Sequence, residues 1–347
     1  MLADLATRDG RPVVAFDLFG DLDLRRSGAR VVTGSGLIEL VDAAVRVPAA
    51  GIVYGASFEN HPALVERLAE RHVVLGNTAA TLRAVRDPSR LAAADPAYPR
   101  TLAVAPDGEG RWLSKPLRGG GGTRVRAWGG GPLPAGTVVQ ERIEGVPCSA
   151  AAVGDGADAV VLGITEQLVG ERAFGVGGYR WCGNLVPPRV PAAALLEQAR
   201  AICSRLAAAF GLRGLFGVDL VWDGERAWTV EVNPRPTASL EAIEAASGVA
   251  VFDAHVRGCA GGLVRVSEPR GAAGKAVLFA TDDVVVGDTE AWLARGVRDV
   301  PHPGERIAAG RPVCTVVAQG ATPDDVLGRL EDQAAQLRAE MGVGALA

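Results

Sequence analysis

Several features are scarce in this sequence, and each shortage removes a class of protein. No apolar run approaches the roughly 20 residues that cross a bilayer. Met1-Leu2-Ala3-Asp4-Leu5 has no basic stretch followed by an apolar core, so no signal peptide is expected. Charge of one sign is also missing. The 36 Lys and Arg stand against 40 Asp and Glu, a formal net charge of −4, which offers no basic surface to nucleic acid or to a membrane. The five cysteines (Cys148, Cys182, Cys203, Cys259, Cys314) match no zinc or redox spacing. They read as buried or incidental thiols in a reducing cytoplasm. The four histidines are equally scattered, so no His-based metal site is expected. What remains is a globular balance, 48% hydrophobic and 22% charged, over 347 residues. That length suits two or three domains.

The first stretch alternates short apolar runs with helical patterns. Residues 12–18, 51–54 and 73–75 read as buried strands, and Pro62 to Arg71 reads as a helix with Pro in its first turn. This alternation implies a parallel sheet. Met1 to Arg8 reads as a helix, where a nucleotide-binding-type domain normally opens with a strand and a glycine turn. From about Arg86 to Gly262 the chain carries a run of four glycines, several β-rich segments and a helix over Ala192 to Phe210. Leu195, Ala199, Ile202, Leu206 and Ala209 recur on that helix at helical spacing, and Gly211 ends it. Residues 165–184 read as a long glycine-containing loop tipped by Tyr179, Arg180 and Trp181. A hairpin follows, with strands over 216–222 and 227–233 about a turn at Asp223-Gly224. Glu241 and Glu244, one turn apart on a helix after Arg235, could orient an ammonium group, but a solvated helix face is the favoured reading. After Gly271, residues 277–280 and 313–317 read as strands, and Pro323 to Met341 as an amphipathic closing helix.

Three clusters carry chemistry. The strongest lies in Gly217 to Thr237. Side chains alternate along a strand, so Glu231 and Asn233 share one face. With an odd number of residues in the turn, Asp219 on the partner strand lies opposite Glu231. Three oxygen-bearing side chains then converge, as a hard cation such as Mg²⁺ requires. Arg235 follows at once, and its planar fork suits a phosphate or carboxylate. The second cluster is Trp112 to Thr123. A strand bearing Lys115 gives way to Gly119-Gly120-Gly121-Gly122, whose backbone amides can wrap an anion. No Gly-Lys-Ser/Thr follows, so it is not a P-loop. The third is Val138 to Gly145, a buried strand ending in Gln140 and Glu141, which could meet an adenine edge beside the backbone of Arg142 and Ile143.

In this order the three clusters resemble the ATP-grasp superfamily, which includes D-alanine–D-alanine ligase, biotin carboxylase and the carbamoyl-phosphate synthetase large chain. The resemblance implies that Lys115 and the glycines Gly120, Gly121 and Gly122 cover phosphates. It implies that Gln140, Glu141, Arg142 and Ile143 form the adenine hinge, and that Asp219, Glu231 and Asn233 hold Mg²⁺, with Mn²⁺ as a substitute. Arg235 and Lys115 would be the catalytic cations. Residues 17–21 and 53–59 are similar to the pre-ATP-grasp domain of a carboligase-like branch whose relatives include tyramine–glutamate ligase. Residues 300–304 and 309–314 are similar to its biotin-carboxylase-like C-terminal domain. Where relatives carry a second phosphate-binding lysine, Asp87-Pro88-Ser89-Arg90 stands here, with Arg90 keeping the charge. Where many carry a ribose-binding Glu, Cys148 stands, and Glu144 is the stand-in.

The expected fold is therefore α/β and α+β: a truncated Rossmann-like domain over residues 1–87, an ATP-grasp domain over 88–268, and a small β-rich domain with a closing helix over 269–347. The implied activity is ATP-dependent ligation of a small-molecule carboxylate to an amine through an acyl phosphate, releasing ADP, in the cytoplasm. A homodimer is the expectation by analogy, and neither nucleic acid nor membrane is an expected partner. Two other readings stay open. One is a bicarbonate-dependent carboxylating enzyme. Its subfamily's extra Gln-Val-Glu-His segment is absent here, where residues 236–241 read Pro-Thr-Ala-Ser-Leu-Glu. The other is a nucleotide-binding regulatory protein without catalysis.

Overall fold

The computed structural model describes residues 1–106, 111–266 and 268–342. The chain opens with helix α1 (Leu2–Arg8), as expected. Strand β1 (Val14–Asp17), helix α2 (Leu22–Arg26), strand β2 (Arg30–Thr33) and helix α3 (Leu37–Ala44) follow, and β1 pairs in parallel with β2. Residues 51–54 and 73–75 do not become strands. Only the parallel bridge Ile52 to Val74 forms, on either side of helix α4 (Pro62–Ala69). Two such short runs in half-buried surroundings are too short for a ladder. Helices α5 (Ala79–Val85) and α6 (Pro88–Ala94) lead out of this region, with Thr78 and Asp87 capping their first turns.

A four-stranded antiparallel sheet comes next. It contains β3 (Thr101–Leu102), β4 (Trp112–Pro116), β5 (Arg126–Ala127) and β6 (Thr137–Glu141), in the order β3-β6-β4-β5. The larger sheet starts with β7 (Val146–Asp155), β8 (Ala159–Val169) and β9 (Trp181–Val186). The loop expected over 165–184 is thus strand at both ends. Only residues 170–180 leave the ladder, through a 3₁₀ turn at Arg172–Phe174. The glycines that suggested a long loop instead make that turn tight, with Gly170, Gly175 and Gly178 all at positive φ.

Helix α7 (Ala192–Phe210) has the expected limits, and Gly211 ends it at φ 63°. Its buried face is Leu195, Ala199, Ile202, Cys203, Leu206, Ala207 and Phe210. Ala209 is exposed, because at about 100° per residue it drifts off the edge of that stripe. Strands β10 (Arg213–Trp222) and β11 (Ala227–Asn233) form the expected hairpin, then helices α8 (Leu240–Ser247) and α9 (Val251–Cys259) follow. Strand β12 (Ala272–Phe279), the pair β13 (Val284–Val285) and β14 (Arg306–Ile307) around helix α10 (Glu290–Ala294), strand β15 (Pro312–Gly320) and helix α11 (Pro323–Glu340) complete the chain.

The large sheet runs β11-β10-β7-β8-β9-β12-β15. Strands β12 and β15 therefore extend the same sheet as β7 to β11, through the ladder between β12 and β9. One face packs Cys148, Ala150 and Phe216 against α7, and the other packs Val153, Leu162 and Leu215 against α8 and α9. Such two-sided burial leaves the strand ends as the place where polar side chains can meet a ligand. Glu241 and Glu244 on α8 are not solvated. Glu241 pairs with Lys275 of β12 and Glu244 with Arg8 of α1, because α8 lies between those elements. All five cysteines are free; Cys148, Cys182, Cys203 and Cys314 are buried, and Cys259 is half-buried.

Candidate active site

The site is built around the β10–β11 hairpin. The turn holds four residues, 223–226, with Trp222 opposite Ala227. An unbroken ladder with this even turn would place Asp219 opposite Val230. A β-bulge skips Val230, so that Leu220 faces Thr229 while Asp219 faces Glu231. The expected pairing is present, but the bulge produces it and not the turn length. The same bulge leaves the Val230 carbonyl free, and Lys115 Nζ donates to it at 3.0 Å.

The acidic side chains are crowded. Asn233 Nδ2 donates to Asp219 Oδ2 at 3.1 Å, and Gln167 Nε2 from β8 donates to Oδ1 at 2.9 Å. Burial, then the Glu231 charge, push the Asp219 carboxyl up to about 6. Two carboxylates facing each other across adjacent strands are a poor arrangement without a cation. Among the described residues, no group of three or more His, Cys, Asp and Glu converges. The set here is two carboxylates and an amide, so a cation would draw its other oxygens from phosphate or water. Asn233 Oδ1 now accepts from Arg235 Nη2 at 3.2 Å and would have to turn to join it. An all-oxygen set with repelling carboxylates fits Mg²⁺.

Cations surround this pair. Lys115 on β4 also donates to Gln140 Oε1 on β6 at 2.8 Å, and Gln140 Nε2 donates to Thr101 Oγ1. Burial lowers the Lys115 pKa, against the pull of Glu231 and Asp219. Arg235 is held by Glu59: Nε donates to Oε1 at 2.8 Å and Nη2 lies 2.7 Å from the same oxygen. Arg86 Nη1 donates to Glu231 Oε1 at 3.0 Å.

Arg86 was not legible as a site residue. Arg90, the expected phosphate contact, is exposed on α6. Arg86 lies one helical turn earlier, at the C-cap of α5, and lines the cleft with Lys115, Gln140 and Glu231. Gln167 was missed too, because only the sheet register brings β8 beside β10 through β7.

The glycine loop covers the cleft. Gly119, Gly120, Gly122 and Thr123 line it. Gly121 and Gly122 have φ of 59° and 68°, and Trp181 N donates to Gly121 O at 3.1 Å. Val85, Leu91, Tyr98 and Val138 form its apolar side. The other expected hinge residues lie apart from the cleft lining. Glu141 is exposed and its amide donates to Arg100 O, while the Arg142 amide donates to Arg111 O. Glu144 pairs at the surface with Arg111 and Arg142, and Ile143 is half-buried outside the lining. Cys148 lies in the core below, where burial raises its thiol to about 12.

Known proteins resemble this chain in sequence and in fold. Residues 85–239 match the family model described as ATP-grasp domain. Formate-dependent phosphoribosylglycinamide formyltransferase of Burkholderia pseudomallei is 34% identical over 161 residues, covering 44% of this chain and 38% of that protein. Its namesake from Oleidesulfovibrio alaskensis is 38% identical over 93 residues, covering 27% and 24%. The chain thus matches about two fifths or less of these relatives' length. Among solved structures, the biotin carboxylase domain of Hydrogenobacter thermophilus 2-oxoglutarate carboxylase, in complex with MgADP and bicarbonate, superposes with a TM-score of 0.72 at 14% identity, covering 95% of this chain and 85% of that one. N5-carboxyaminoimidazole ribonucleotide synthetase from Thermus thermophilus superposes with a TM-score of 0.69 at 18% identity, covering 100% and 96%. The fold is therefore that of these ATP-grasp enzymes. Among the described residues, no helix is long and apolar enough to cross a membrane.

Proposed function

We propose that this chain, whose residues 85–239 are an ATP-grasp domain, is an ATP-dependent carboxylate–amine ligase that works through an acyl phosphate. The observation that carries this reading is the convergence of Lys115, Asp219, Glu231, Asn233 and Arg235 at one end of the β10–β11 hairpin. The curated relatives support it, since their name describes a formate-dependent formyl transfer to phosphoribosylglycinamide.

In this reading the apolar side of the cleft takes the adenine, and Gln140 orients its edge. Lys115 and the amides of Gly120 to Gly122 hold the phosphates, and Arg86 supplies the charge expected of Arg90. Asp219, Glu231 and Asn233 would hold Mg²⁺, which neutralises phosphate charge during transfer. The acid's carboxylate oxygen attacks the γ-phosphorus, and the bond to the β-phosphate oxygen breaks, leaving ADP. The amine then attacks the acyl carbon, loses a proton and expels phosphate. Arg235 stabilises the negative charge that builds at the acyl centre. The glycine loop keeps water from the acyl phosphate. The substrates are small molecules, and the five unpaired cysteines fit a reducing compartment.

The test is ADP release from MgATP against a panel of acids, amines and bicarbonate, beside Glu231→Ala. Release with one acid–amine pair, lost in the variant, supports the ligase. Release driven by bicarbonate without an amine replaces it with a carboxylating enzyme.

A further inference from the structure

The region that precedes the ATP-grasp domain reaches into the site at several points. Tyr54 Oη donates to Asn77 O at 2.7 Å, and Asn77 Nδ2 donates to Pro234 O at 3.0 Å, between the candidate ligand Asn233 and Arg235. Ser57 has φ 79°, which is uncommon for a residue other than glycine. It turns the chain into a 3₁₀ turn, Phe58–Asn60. Glu59 in that turn is only 3% exposed. Its Oε1 carries Arg235 and also lies 3.5 Å from Arg86 Nη2, while its Oε2 is buried without a hydrogen-bond partner. The next residue, Asn60, grips one glycine twice. Its Nδ2 donates to Gly119 O at 3.3 Å, and Gly119 N donates to its Oδ1 at 3.2 Å.

We propose that Glu59 and Asn60 are positioning residues, and that this single turn couples the placement of Arg235 to the seating of the glycine loop. The proposal rests on the ligase reading for the role of Arg235. The two residues are neighbours in one short turn, so one cannot shift far without the other. A loop that lifts from the cleft pulls on Asn60, and through the turn on the Glu59–Arg235 contact. Glu59 also shares Arg86 with Glu231. Without it, Arg86 is free to collapse fully onto Glu231 and compete with a cation there. A strained φ and an unpartnered buried carboxylate oxygen are costs that a purely structural turn has no reason to keep.

Hydrogen exchange of the free protein over Gly119–Thr123 tests this, with helix α7 as an internal reference and MgADP calorimetry in parallel. Asn60→Ala should speed loop exchange about thirtyfold, the equivalent of two hydrogen bonds of about 1 kcal/mol each, with α7 unchanged. Glu59→Gln should speed the same loop by at least about threefold, although the polar partners of Glu59 are Arg235 and Arg86 and not the loop, and Glu59→Asp should restore most of the protection. MgADP affinity should fall in the first two variants. Loop exchange at the wild-type rate in Glu59→Gln overturns the coupling, as does a rise that α7 shares. If Glu59→Gln does not fold, Arg235→Gln breaks the same contact from the other side and is held to the same outcomes. Failure of the wild-type protein to bind MgADP sinks the nucleotide reading, while the exchange comparison still decides the coupling.

Discussion

Three successive glycines of the loop over the cleft, Gly120 to Gly122, differ in what a methyl group would meet, and that difference makes a graded test of the proposed phosphate loop. Gly120 has an ordinary φ and nothing within 4 Å of an added Cβ. Gly121 also has open space but sits at φ 59°. Gly122 sits at φ 68°, and its Cβ would lie 1.8 Å from Tyr179 O and 2.8 Å from the same residue's carbonyl carbon. Alanine at 120 meets neither strain nor clash, so its effect should stay within about 0.5 kcal/mol. At 121 the left-handed backbone costs about 1 kcal/mol. At 122 the same strain adds to a backbone displacement of more than an ångström, in the segment whose Trp181 amide holds Gly121. Together these come to about 3 kcal/mol, with overpacking as the largest part. Calorimetric titration with MgADP should find Gly120→Ala within about threefold of wild type, Gly121→Ala about fivefold weaker and Gly122→Ala more than about hundredfold weaker. Urea unfolding should show a smaller loss for Gly122→Ala than binding does, because the loop can detach while the sheet stays folded. Equal effects at 120 and 122 would refute the claim that the loop is seated by the Tyr179–Trp181 segment.

Arg86→Ala should weaken MgADP binding about tenfold or more, and Arg90→Ala should leave it within about twofold, since only Arg86 lines the cleft; the reverse order would restore the sequence-based assignment. The Asp219 carboxyl, raised to about 6, must lose its proton before it can hold a cation, so Mg²⁺-dependent nucleotide affinity should rise with pH up to about 6 and level off above it. Affinity constant between about pH 5 and 8 would remove Asp219 from the cation site. His255 is kept neutral by burial, with Nδ1 accepting from Leu215 N and Nε2 facing Leu75 O. Its pKa falls from 6.5 to about 4. A depressed histidine contributes stability above its unfolded pKa and loses it as pH falls through the folded value, so urea stability should drop by about 3 kcal/mol between about pH 7 and 4. His255→Gln should flatten that dependence, and a variant that keeps the full slope would show that other groups cause it.

Local sequence chemistry determined the α7 limits, through a stripe at helical spacing and a glycine at the end. It also determined the hairpin, through two apolar runs about Asp223-Gly224, and the faces of Glu231 and Asn233, through strand alternation. These need only the chain's own periodicity. The order of Lys115, the glycine run, Gln140 and the hairpin was enough to point to nucleotide chemistry before any contact was known. What tertiary structure decided is where the chain's distant parts meet. The bulge at Val230 sets Asp219 opposite Glu231, and bulges have no local signature strong enough to read. Arg86, and not Arg90, lines the cleft because α5 and α6 pack at a particular rotation beside it. Gln167 reaches Asp219 because β8 follows β7 in the sheet. Glu59 and Asn60, the latter 59 residues ahead of Gly119, join the site through long-range packing. Periodicity acts over a few residues and is written in the sequence; the register and rotation of packed elements are set by the whole core at once, and there the site was completed.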